Sequence, residues 1–285
     1  MRFIGCSLAW RPSDAKDGTS CLMVLDERGS IIANSFATSV AEIAGAVEGY
    51  AADRRSVILG VDAPLSVPNE RGTRKIERLL SKLALPAYSA SRKMFGDEPP
   101  GEALLAALED VGVEYTDYPF RRQRRQSAVV EVDSAATLKV LALERGQGGS
   151  DNDPEQRLRG MDDPKLRKGN KEDRAAAIKG AVDVLWNTPG LRLRTGNLSA
   201  DLSAPDNVDV SRVEVASTLS HADLDRICSL VEATLAAYAV HRHWKGRDGS
   251  AVVGTGDAGS VLLPAGEALH DRIAEECRAS GVPYV

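Results

Sequence analysis

Val57-Ile58-Leu59-Gly60-Val61-Asp62-Ala63-Pro64-Leu65 opens with five apolar residues and closes on a carboxylate and a proline. An unbroken apolar run this short is the pattern of a strand covered on both faces, as in a parallel sheet. Pro64 ends the run, so Asp62 stands at the strand's carboxyl end, where open α/β sheets bind ligands. The other reading of Asp62 is a turn residue that caps local amides.

Upstream, residues 3–8 and 21–25 read as strands, and Asp26-Glu27-Arg28-Gly29 as a turn into a third strand over 30–33, which makes a hairpin. Ser39 and Glu42 form a capping box, and Val40, Ile43, Ala44 and Val47 recur on one helical face. Three strands, a helix and a strand open an α/β domain with a mixed sheet. Downstream, helices are predicted over 73–85 and 102–109, a strand over 129–132 and a helix over 135–143. Residues 146–170, rich in Gly, Asp, Pro and Arg, read as a mobile loop. Another helix follows over 171–186, then a polar, Pro- and Gly-punctuated segment over 187–217. Ser220 and Asp223 cap a long helix running to about residue 243, with Leu224, Ile227, Cys228, Val231, Leu235 and Tyr238 as its apolar stripe. Two short strands, over 251–253 and 260–263, and a helix over 269–277 close the chain.

The 285 residues are 43% hydrophobic and 27% charged, enough to bury a sizeable core. A net charge of -5 disfavours nonspecific attraction to a phosphate backbone. The four cysteines form no CxxC pair, which suggests no zinc site, and Cys6, Cys21 and Cys228, in apolar surroundings, read as reduced core thiols. With no signal peptide or membrane-spanning segment apparent, a cytoplasmic location is expected.

Few side chains offer chemistry. Glu131 interrupts an apolar strand, where burial of an unpaired charge is costly; strand alternation would otherwise aim it at solvent. Asp225 and Glu232 lie seven residues apart on one helical face, either over the sheet rim or on a solvated flank. Arg121-Arg122-Gln123-Arg124-Arg125 is a phosphate-binding run or a solvated loop. The four histidines show no nucleophile or zinc spacing.

Several segments together resemble a known family. They are Ile4-Gly5-Cys6-Ser7-Leu8-Ala9-Trp10, Gly60-Val61-Asp62-Ala63-Pro64-Leu65 and Val67-Pro68-Asn69-Glu70-Arg71-Gly72-Thr73-Arg74. Further along come Val130-Glu131-Val132-Asp133-Ser134-Ala135-Ala136, Glu232-Ala233-Thr234-Leu235-Ala236-Ala237-Tyr238 and residues 254–264. The family is the domain of unknown function 429 family, predicted nucleases with a ribonuclease H-like fold, and the similarity spans nearly the whole chain. It implies one domain over 1–285, a five-stranded mixed sheet flanked by helices, with insertions at about 86–127 and 146–217. It also implies a metal-dependent hydrolase of phosphodiester bonds, with nucleic acid as partner. Asp62, Glu131 and Glu232 would then be catalytic and hold Mg or Mn, with Asp225 the fallback on the late helix. Arg74 and Ser7 would meet the substrate.

The chain departs from the family pattern at Ser7, where an Asp is usual, at Ser134, where Pro is, and at Glu232, where Asp is. Asp133 stands where the family often has an aromatic. Serine cannot supply the anionic charge that holds a hard cation. Asp14 or Asp17 compensates only if the following loop folds back. The alternative expectation is therefore a catalytically degenerate ribonuclease H-like binding protein.

Overall fold

The computed structural model describes residues 1–9, 19–52, 56–96, 98–117, 127–146, 153–193, 198–204, 206–246, 249–255 and 259–284. Asp14, Asp17, Trp10, the basic run 121–125 and residues 256–258 of the 254–264 segment lie outside them.

The apolar run forms β4 (Val57–Asp62), buried from Val57 to Val61. It lies parallel to β1 (Arg2–Ser7), itself antiparallel to β2 (Ser20–Leu25). β3 (Ile31–Ala37) pairs antiparallel with β2. Between β2 and β3, Asp26 accepts from the amides of Arg28 and Ser30, and Gly29 takes φ +78°. β3 runs past the predicted 30–33 because Asn34, polar and buried, is matched: its amide donates to the Val208 carbonyl and its oxygen accepts from the Val208 amide.

α1 (Val40–Ala51) starts on the Ser39 cap, although Glu42 reaches back to the Thr38 amide. After β4 come α2 (Lys75–Lys82), α3 (Arg92–Phe95) and α4 (Pro100–Glu109). β5 (Glu114–Tyr115) and β6 (Ala128–Glu131) complete a sheet of order β3-β2-β1-β4-β6-β5. Pairs on the β5 side of β1 are parallel and those on the β3 side antiparallel. The sheet therefore has six strands, not five; the extra one is the two-residue β5 at the edge, too short and polar to give a periodic signal.

α5 (Ser134–Glu144), α6 (Pro154–Gly160) and α7 (Lys171–Trp186) follow. α6 occupies part of the segment read as a loop: Asp153 caps its N-terminus and Leu158 anchors it in the core. α8 (His221–Trp244) is the predicted long helix, with the Ser220–Asp223 capping box formed. β7 (Ser250–Thr255) and β8 (Gly259–Pro264) make a separate antiparallel pair, and α9 (Glu267–Ser280) ends the fold.

The sheet is covered on both faces. Ile4, Cys6, Leu59, Val61 and Val129 pack toward Ile43 and Val47 of α1 and Leu104 and Leu108 of α4. Phe3, Ile58, Val130 and Val132 pack toward α8, whose residues are buried without a break from Ile227 to His241. No helix among the described residues is long and apolar enough to cross a membrane.

Candidate functional site

Ser7 and Asp62 end neighbouring parallel strands and are Cα partners in the register. Alternation places both on the α8 face, because Cys6 and Val61 before them pack on the other. α8 comes close there because β1 and β4 present glycines to it. A Cβ on Gly5 would stand 1.9 Å from the Ala233 carbonyl oxygen, and one on Gly60 2.8 Å from that of Ala236. This crossing sets Glu232 over the strand ends, where it accepts from the Ser7 hydroxyl at 2.8 Å.

Asp62 accepts from the Ser134 amide at 2.9 Å and the Ser134 hydroxyl at 2.5 Å, at the first turn of α5. Burial still pushes the Asp62 carboxyl well above the usual range, and the charges of Glu232 and Asp133 add to the effect. Asp133 caps α5 through the Ala136 amide and is pushed up to about 7, chiefly by burial. With Tyr88, Arg74 and Glu131, these two aspartates line a crevice of about 30 Å³, room for a water or two.

Glu131, the register partner of Val61, lines this same crevice, but its carboxylate is already taken. There Arg74 grips it with a fork, Nη2 to Oε1 at 2.6 Å and Nη1 to Oε2 at 3.0 Å, and the Leu65 amide adds a third bond. Arg74, expected at a phosphate, is itself only 5% exposed. Its Nε donates to Glu77 and its Nη1 also donates to the Ser66 carbonyl, so its guanidinium serves the interior. Asp225, two turns before Glu232, pairs with Arg174 at 2.5 Å and lies 4.0 Å from Arg167 Nη1, so it flanks the rim through these two arginines.

Sequence reasoning missed Arg167, which lies between α6 and α7. Its Nε donates to Glu232 Oε1 at 3.0 Å, and its Nη2 donates to Glu232 Oε2 at 2.6 Å and to Ser229 Oγ at 2.9 Å. Leu166 pins the segment in the core, and its carbonyl accepts from Arg174 Nε at 3.2 Å. The available signal was a lone Leu before an Arg, followed by the Asn170 cap of α7.

The donor set does not fit magnesium or manganese. Ser7 brings no charge, Glu131 is held by Arg74, and Glu232 is held by Arg167. Among the described residues, no three His, Cys, Asp or Glu side chains are grouped to hold a metal. Comparison with protein-family models, curated proteins and solved structures gives no match.

Proposed function

We propose that this chain is a ribonuclease H-like protein, of the kind its resemblance to the domain of unknown function 429 family implies, that binds single-stranded nucleic acid without metal-dependent cleavage. One observation carries the reading: each rim carboxylate already has a protein partner. Asp62 has Ser134, Glu131 has Arg74, and Glu232 has Ser7 and Arg167. A sheet order with β1 between β2 and β4, and a late helix across β1, supports the ribonuclease H-like assignment. The rim also carries what a strand engages. Tyr88 is 42% exposed, Lys168 Nζ lies 5.0 Å from its ring centre, and Arg167 is half-exposed nearby. On an acidic protein such binding is weak and falls steeply with salt.

Fluorescence anisotropy with labelled single-stranded RNA and DNA tests the proposal. Binding is expected in EDTA, unchanged by magnesium, and reduced in Tyr88→Ala. Absence of binding to either strand at low salt would remove it.

A second reading, a hydrolase, is favoured by the raised Asp62 carboxyl, buried near the charge of Glu232, which a cation at this rim would offset. Cleavage of any DNA or RNA under magnesium or manganese, abolished in Asp62→Asn, would establish that reading in place of the first.

A further inference from the structure

We infer that Arg167 is the resident cation of this rim and stands in for a divalent ion as the counter-charge of Glu232. The inference rests on the metal-independent reading and names the residue responsible for it.

Glu232 is 8% exposed, over the end of β1, and its charge acts on the carboxyl of Asp62. A carboxylate buried there without a cation is strongly destabilising. A carboxylate has about four lone-pair sites. At Glu232, Oε2 accepts from Ser7 Oγ at 2.8 Å and Arg167 Nη2 at 2.6 Å. Oε1 accepts from Arg167 Nε at 3.0 Å and Cys228 Sγ at 3.2 Å. The group is therefore saturated, and a metal would have to displace the guanidinium. Displacement is opposed on both sides of Arg167. Nη2 also reaches Ser229, and the backbone just before is tied to α7 through Arg174, which is in turn paired with Asp225. Serine at position 7 completes the arrangement, because a neutral donor satisfies Glu232 without calling for a second positive charge.

The test is manganese binding to purified protein, read as loss of the free-ion electron paramagnetic resonance signal, in wild type, Ser7→Asp, Arg167→Ala and the double variant. Wild type and Ser7→Asp are expected to leave the ion free, the new aspartate pairing with Arg167. The double variant is expected to bind at least about tenfold more tightly than Ser7→Asp, and to lose that binding when Glu232→Gln is added. Ser7→Asp binding as tightly as the double variant would overturn the role of Arg167, as would a folded double variant that binds no manganese. Should the double variant not fold, thermal melts decide. Methylguanidinium or manganese is expected to raise the Tm of Arg167→Ala more than that of wild type, and equal shifts would overturn the inference. The two proposals fail separately. Wild-type cleavage under manganese removes the metal-independent reading itself, whereas a silent wild type with tight binding by Ser7→Asp removes only Arg167.

Discussion

One guanidinium, that of Arg74, holds two buried carboxylates, forking onto Glu131 while its Nε reaches Glu77. Removing it strands both charges, so Arg74→Met is expected to lose about 3–5 kcal/mol in urea denaturation. Arg74→Lys is expected to recover only part, because a point charge cannot fork onto one partner and reach the other. A loss no larger than that of a surface substitution would show that the network contributes little. Asp133 makes the opposite case. Its carboxyl is raised in the folded state to about 7 from an ordinary 3.8. The folded protein therefore holds a proton that the unfolded chain has released. That contribution to stability is complete below about pH 4 and is lost as pH rises through about 7. Asparagine caps a helix as well as aspartate does and carries no charge to desolvate. Asp133→Asn is thus expected to be more stable than wild type by about 1 kcal/mol at pH 8, the gain vanishing by pH 4. A gain independent of pH would refute the assignment.

At the scale of elements, the close crossing of α8 over β1 and β4 decides where Glu232 stands. Gly5→Ala would put its methyl on the Ala233 carbonyl, 1.9 Å away, and 2.3 Å from the Ala237 nitrogen. Backbone on both sides leaves no flexible atom to yield, so a loss of about 3 kcal/mol is expected by thermal or urea unfolding. Gly45, inside α1, would meet nothing within 4 Å. There Gly45→Ala is expected to gain about 0.5–1 kcal/mol through helix propensity. Similar effects at the two glycines would mean that the helix is not seated as described. The elements legible in the sequence are those whose own period or caps define them. β4 is an unbroken apolar run, and α8 begins on a complete capping box. Where definition comes from a distant partner, the reading failed. β3 continues past residue 33 because Asn34 is satisfied by Val208, and α6 reaches the core with one buried side chain, Leu158.

For the molecule as a whole, the same division governs the candidate site. Asp62 and Glu232 were legible as carboxylates at a strand end and on an amphipathic helix, and the fold brings both to one rim. The partner of Glu131 was not legible, because Arg74 lies 57 residues away along the chain. Arg167 was less legible still, since the bond that gives it meaning spans 65 residues of chain. Arg167 bonds to α8, which packs on β1, β2 and β4 with one side and on α5, α7 and β8 with the rest. A helix enclosed all round has no route to solvent short of unfolding its neighbours. Hydrogen exchange read by mass spectrometry is therefore expected to find amides 227–241 opening only with the whole molecule, their protection falling with urea as steeply as global stability does. Residues 92–95 of α3, none of them buried, are expected to exchange first among the helices. Exchange of 227–241 through a local opening insensitive to urea would mean that the helix detaches on its own. Glu232 would then leave Ser7 and Arg167 without the fold being lost, and the rim would be a transient assembly, not a fixed one.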